Sequence, residues 1–329
     1  VTWRKLGLPE KLVGEFLAFR EEFAFLKAKE VLVKHRVSFV SGQDEAYPKL
    51  LGEIPDPPLG LFVKGKFLPQ DQKAVAVVGT RKITPYGREV TEKFTAWLVG
   101  QGFTVVSGLA RGVDSVAHRV ALGCGGRTLA VLGCGLDQVY PPEHKGLAEQ
   151  VAEHGALVSE YPPGMPALPQ NFPLRNRIIS GLSLGVLVTE GEVKSGTKIT
   201  AKYAADQGRE VFAVPGPITS PTSAGPAQLI KLGAKLVNCG EDILDELKLG
   251  ELDMEVTMAD GQKTQTLPPR NFANKLEQQI WETLIQGSKH IDDLAREMKI
   301  GSAKLMSLLT LMEVSGKVKS VGSGKYMAV

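Results

Sequence analysis

The sequence predicts an α/β fold built on a parallel sheet. Six short apolar runs recur from residue 74 onward: AVAVVG (74–79), TVVSG (104–108), TLAVLG (128–133), ALVSEY (156–161), LGVLVTE (184–190) and REVFAVPG (209–216). Runs that are apolar almost from end to end suit strands buried on both faces. Between most of them lie stretches of helical length and period, such as YGREVTEKFTAWLVGQG and VDSVAHRVALGCGG. Strands alternating with helices place helices on both faces of the sheet.

The flanks differ from this body. Residues 1–45 read as a helical segment, since EKLVGEFLAFREEFAFLKAKEVLVKH spaces its apolar residues three and four apart. The proline-punctuated YPKLLGEIPDPPLGLFVKG then leads into a main domain over residues 46–247. Residues 248–272 are polar without a sustained period, the composition of a linker. Residues 273–329 carry three helical stretches, KLEQQIWETLIQG, IDDLAREMKI and SAKLMSLLTLMEVSGKV, then two short strands around a Gly-Ser-Gly turn. Three helices and a hairpin in so short a span make the layout of a winged helix.

Composition sets limits on function. A net charge of +3 over 329 residues permits an anionic partner without requiring one, so a polyanion site has to come from local clustering. Cys124, Cys134 and Cys239 form no CxxC pair and have no histidine at ligand spacing, which points to reduced thiols and no metal. No apolar run approaches membrane-spanning length and no basic-then-apolar leader opens the sequence, so the expectation is a cytoplasmic protein with no membrane partner.

In open α/β sheets, ligands bind beyond the carboxyl ends of the strands, where loops lead into helix N-termini. The loop after the first strand carries Arg81, Lys82 and Arg88, and the loop after the second carries Ser107, Gly108 and Arg111. The fourth strand leads into NFPLRNR, with Phe172, Arg175, Asn176 and Arg177. The fifth is followed by Lys194 and Lys198 flanking Ser195, Gly196 and Thr197. Four loops that bring cations and small residues to one sheet edge predict an anion site. A single-stranded nucleic acid requires a cationic track for phosphates and a flat side chain for bases, and NFPLRNR supplies both.

Other chemistries fit less well. The dinucleotide fingerprint is absent, since Gly-Thr-Arg follows the first strand. GEVKSGTK has the glycine spacing of an NTPase loop but reverses its lysine and hydroxyl, which argues against ATP hydrolysis. Asp114 and His118 share a helix face, yet no nucleophile stands at a matching spacing. They read as a carboxylate at a helix start and a packed ring. Glu160 and Glu190 read as groups that orient arginines or bind backbone amides. No catalytic residue, cofactor or metal ligand is expected.

The runs YPKLL, VAVVGTR, VSGLARGVDSVAH, TLAVLGCGLDQVYPPEH, LVSEYPPG, NFPLRNRIISGLS, SGTKITAKYAADQGREVFAVPG and LIKLGAKLV, collinear over roughly residues 46–240, resemble the bacterial DNA-processing protein A (DprA, or Smf) family. The resemblance implies an extended Rossmann-like domain, often with a helical domain before it and a winged helix after it. It further implies a homodimer formed through the Rossmann-like domain, which binds and protects incoming single-stranded DNA and loads the RecA recombinase in natural transformation. DNA contacts would fall to Arg81, the SGLARG loop, the NFPLRNR stretch and the SGT loop with Lys198. Two positions depart from the family pattern: Lys198 stands where leucine is more common, and Pro226-Ala227 precedes Gln228 where a Gly-x-Asn is usual. The alternative is a related Rossmann-like nucleoside-monophosphate hydrolase. The presumed recognition helix, SAKLMSLLTLMEVSG, has a single cation, Lys304, so its reading of a DNA major groove is not expected.

Overall fold

The structure, a computed structural model, describes residues 9–247, 275–285, 289–298, 300–314, 317–322 and 325–328. The chain forms two compact units, Val1–Val256 and Thr257–Val329. The linker expected over residues 248–272 lies outside the described residues.

The first unit opens with two helices, α1 (Glu10–Glu22) and α2 (Phe25–His35). The helical segment ends there and not at residue 45, because β1 (Ser38–Ser41) pairs antiparallel with β2 (Gly60–Gly65) at the edge of the main sheet. Sequence reading missed both strands, which lie among turn-forming residues without a long apolar run. The six anticipated strands are all present: β3 (Ala74–Val78), β4 (Thr104–Ser107), β5 (Thr128–Leu132), β6 (Ala156–Ser159), β7 (Gly185–Val188) and β8 (Glu210–Ala213). A two-residue β9 (Lys235–Leu236) closes the far edge.

The sheet order is β1-β2-β6-β5-β4-β3-β7-β8-β9. From β6 to β9 every neighbouring pair is parallel, while β2 joins β6 antiparallel. The chain runs outward from β3 to β6, then returns to lay β7 on the other side of β3. That reversal is the topological switch point, where a crevice opens at the carboxyl ends of the strands. Along β3, Ala74, Ala76 and Val78 enter one core, and Val75 and Val77 enter the core on the opposite face. Such two-sided burial explains why the run is apolar throughout.

Helices α4 (Pro85–Gly100), α5 (Val113–Gly123), α7 (Asn171–Gly181) and α8 (Gly196–Asp206) start at this carboxyl edge, while α3 (Lys49–Gly52) precedes β2, α6 (Lys145–His154) precedes β6, and α9 (Ala224–Lys231) and α10 (Glu241–Leu247) flank β9. NFPLRNR is therefore the first two turns of α7. Pro173 is tolerated there because the first-turn amides of a helix lack an intrahelical partner anyway.

The second unit contains α11 (Lys275–Ile285), α12 (Ile291–Met298) and α13 (Ser302–Val314). They pack Ile280, Trp281, Leu284, Leu294, Leu305, Leu309 and Met312 into one core. Its sheet has three strands where two were expected: β10 (Lys289–His290) pairs with β12 (Lys325–Ala328), which pairs with β11 (Val318–Gly322). Lys317 is ion-paired with Glu277 at 2.9 Å. The exposed side of α13 carries Met306 and Leu311 beside Lys304.

Candidate nucleic-acid interface

The crevice at the switch point is an open cavity of about 570 Å³. Its walls come from the loop after β3, the start of α5, the first turns of α7 and the start of α8.

The β3 loop is held from below by one carboxylate. Glu190, 1% exposed, accepts from Thr84 N (3.0 Å), Thr84 Oγ1 (2.7 Å) and Thr222 Oγ1 (2.6 Å). It ties the ends of β3, β7 and β8 together, in agreement with its reading as a backbone anchor. Above it, Arg81 and Lys82 stand exposed and line the cavity. Neither makes an ion pair among the described residues.

The β4 loop is equally constrained, and its small residues are already occupied. Ser107 is buried and donates to Val77 O at 2.7 Å. Gly108 N donates to Asp114 Oδ2 at 3.1 Å, and Ala110 N donates to the same oxygen at 3.3 Å. Leu109 between them adopts φ 58°, and its carbonyl accepts from His144 Nδ1 at 2.8 Å. Ser107 and Gly108 do not line the cavity; Gly108 borders an adjoining recess, and the Ser107 hydroxyl and the Gly108 amide and carbonyl serve protein partners. Arg111, exposed, lines the same recess and is paired with Glu143 at 2.5 Å.

Asp114 and His118 form no dyad. Asp114 serves the loop amides, whereas the fully buried His118 lies 2.8 Å from Thr128 Oγ1. Because Thr128 Oγ1 donates to Val105 O, His118 Nδ1 is the donor, and its buried Nε2 keeps a lone pair with no partner. Burial, with Arg175 and His144 nearby, pulls its pKa down to about 3.

The two arginines of NFPLRNR have different tasks, and neither is the exposed phosphate ligand that the sequence suggested. Arg175, 4% exposed, donates from Nη1 to Gly108 O (2.8 Å) and to Val131 O, and from Nε to Asn176 Oδ1 (3.2 Å). It bridges the ends of two strands, β4 and β5, from the cavity floor. Burial lowers its pKa to about 10 despite the attraction of Asp114, and burial likewise raises that of Asp114. Both shifts have the sign expected when desolvation outweighs mutual attraction. Arg177, 8% exposed, does not line the cavity; its Nη2 reaches both Glu160 oxygens (2.7 and 2.9 Å) and its Nε reaches Asp56 Oδ2 (3.1 Å). Glu160 orients an arginine, as read from the sequence.

Phe172 lies on the cavity wall with its ring centroid 5.3 Å from that of Tyr140. The guanidinium carbons of Arg81 and Arg175 lie 6.0 and 5.9 Å from the Phe172 centroid, within cation–π range. Tyr140 comes from the loop after β5, which sequence reading passed over because it brings no cation. An aromatic ahead of two prolines in a strand-end loop was the available signal.

Ser195 begins α8 without a side-chain cap. Among the described residues, the Gly196 and Thr197 amides have no protein acceptor. Ser195, Gly196 and Thr197 all line the cavity, so a helix N-terminus with unsatisfied amides faces Arg81 and Lys82. Lys198 does not line the cavity: with Lys194 and Lys202 it lines an adjoining groove beside α8, which shares Ser195, Gly196 and Ile199 with the cavity. Asn176 and the exposed Glu192 complete the wall. No cluster of potential metal ligands occurs among the described residues, and no described helix is long and apolar enough to cross a membrane.

The chain has known relatives. Residues 38–248 match the family model of DNA recombination-mediator protein A, and residues 262–324 match the DprA winged helix domain. Protein Smf of Escherichia coli is 49% identical over 251 residues, 76% of this chain and 67% of that protein. DNA processing protein DprA of Bacillus subtilis is 42% identical over 231 residues, 69% of this chain and 77% of its own. Among solved structures, DprA from Streptococcus pneumoniae superposes with a TM-score of 0.62 at 42% identity, covering 66% of this chain and 77% of that one. DNA processing protein A from Helicobacter pylori, a structure concerned with that protein's single-stranded DNA binding mode, gives a TM-score of 0.59 at 28% identity, covering 65% and 97%. A match to the family model over 38–248, with a family winged helix after it, shows that this chain belongs to the DNA recombination-mediator protein A family.

Proposed function

We propose that the cavity binds single-stranded DNA and that the protein, as a homodimer formed through its main unit, delivers such strands to the RecA recombinase. One observation carries the binding: two unpaired cations, Arg81 and Lys82, face the open amides of α8 across a cavity walled by the Phe172–Tyr140 aromatic pair. Cations and amides suit phosphates, and an aromatic ring on the cavity wall suits an unstacked base. The Helicobacter pylori relative supports the same ligand. RecA delivery and the dimer rest on family resemblance. Nucleoside-monophosphate hydrolysis is disfavoured, because Asp114, Glu160 and Glu190 are each committed to protein donors and Glu192, the remaining carboxylate of the cavity lining, has no second uncommitted carboxylate beside it there.

Fluorescence anisotropy with labelled oligo-dT, against duplex of equal length and over a salt series, tests the binding. Phe172→Ala should weaken binding by about 5- to 150-fold, the equivalent of about 1–3 kcal/mol for one stacked base. Arg81→Ala should lower affinity and flatten the logarithmic salt dependence by about 0.7, the contribution of one phosphate contact on a single strand. Equal affinity for duplex, or wild-type behaviour of both variants, would remove the site from consideration.

A further inference from the structure

Two side chains of the cavity offer more than a phosphate track requires. Glu192 is exposed and lines the cavity, yet among the described residues its carboxylate makes no ion pair or hydrogen bond, although Arg81 and Lys82 line the same walls. A carboxylate beside a phosphate track costs affinity through like-charge repulsion, so phosphate binding gives it no purpose. Asn176 is the second. Its Oδ1 accepts from Arg175 Nε, which fixes the amide so that Nδ2, a donor, is the group left for a ligand. One acceptor-only group and one oriented donor therefore share a cavity with an aromatic face.

On this basis, and resting on the single-strand reading above, we infer that Glu192 and Asn176 read the edge of a base stacked on Phe172 and select guanine. The Watson–Crick edge of guanine presents O6 as acceptor beside two donors, N1–H and N2–H₂. Asn176 Nδ2 serves the first and the Glu192 carboxylate takes the other two. Thymine offers a single N3–H between two carbonyl oxygens, so a carboxylate that approaches it meets oxygen on both sides. Cytosine and adenine each provide one exocyclic amine next to a ring acceptor, and rank between. Arg81, Lys82 and the α8 amides hold the backbone of every sequence, so the preference is superimposed on general binding.

The test uses the full chain and three labelled strands of equal length: oligo-dT, alternating d(CT) and alternating d(GT), which avoids guanine quadruplexes. A satisfied base contact of this kind discriminates by about fivefold or more, which dilutes to about threefold in d(GT) because half the registers place thymine in the cavity. Wild-type protein should bind d(GT) tighter than oligo-dT by that factor, with d(CT) between. Glu192→Ala should abolish the difference and bind oligo-dT more tightly than wild type, as the repelling charge is gone. Glu192→Gln, neutral but still bearing a carbonyl acceptor, should keep part of the preference. Equal wild-type affinities for the three strands overturn the inference, as does a d(GT) preference that survives Glu192→Ala. Absence of binding to any strand would instead refute the single-strand reading beneath it.

Discussion

Replacing Arg175 by methionine separates a structural arginine from a ligand-binding one. The substitution keeps much of the side-chain volume but removes every donor. Gly108 O and Val131 O, both at buried strand ends, lose the guanidinium that satisfies them. A buried polar group left without a partner costs about 1–3 kcal/mol. Asp114, itself 7% exposed, also loses its principal opposing charge. Breaking a buried charge pair from one side costs about 3–5 kcal/mol, and the sum of the parts agrees with that range. For a unit of this size each kcal/mol moves the thermal midpoint by about 2–4 °C, so a fall of about 6–20 °C is expected. Scanning calorimetry on the full chain reads it directly, with Arg81→Ala as the exposed control held within about 0.5 kcal/mol of wild type. An Arg175→Met protein that melts with wild type but no longer binds oligo-dT would make Arg175 a phosphate ligand and refute the reasoning.

Two further substitutions probe the same region. A Cβ on Gly108 would sit 2.6 Å from Arg175 Nη2 and 2.8 Å from its Cζ, and the guanidinium cannot retreat without giving up a carbonyl. Gly108→Ala should therefore cost about 1–3 kcal/mol in urea unfolding, and less when combined with Arg175→Met, because the clashing group is absent. Additive effects would sink that explanation. His118, with its pKa pulled down to about 3, refuses in the folded state a proton that the unfolded chain accepts near pH 6.5. The stability linked to it is complete above pH 6.5 and is lost as pH falls toward 3, with a slope of up to about 1.4 kcal/mol per pH unit. His118→Gln should remove that slope between pH 5 and 6.5, ahead of most carboxylate titration; an unchanged slope in calorimetry over that window would exclude His118 as its source.

The strands of the main sheet were legible because burial on both faces leaves an unbroken apolar run, as in β3. The antiparallel edge was not. β1 has a burial pattern of exposed and half-buried residues, so no long apolar run advertises it, and it sits directly after a helix whose period masks it. The site was legible at the level of loops, since topology alone sends them to one edge. Individual side chains were harder. Ser107 and Gly108 looked available because small residues suit an anion cradle, but their hydrogen-bonding groups serve Val77, Asp114 and Arg175. Tyr140 lay in a loop without cations, outside a search guided by charge. Lys198 follows Thr197 in the chain, yet one residue along a helix turns a side chain by about 100°, enough to move it out of the cavity.

The same rotation divides the side chains of NFPLRNR among three directions. With about 100° per residue, Asn176 and Ile179 fall within about 40° of Phe172 on one face of α7, and all three line the cavity. Arg175 lies about 60° to the side, where it can reach under the cavity floor to the ends of β4 and β5. Arg177 lies about 140° away and meets Glu160 and Asp56 on the far side. Written as a line, the motif offers two cations to one phosphate chain. Wound as a helix, it cannot: one arginine braces the floor, the other fastens α7 to its neighbours, and Phe172 and Asn176 are what the motif presents to a ligand. On the proposed single-strand reading, the cations of the cavity wall that would meet phosphate come from the β3 loop. Arg81 and Lys82 stand exposed and unpaired there because Glu190 anchors the turn through Thr84 and leaves both side chains free.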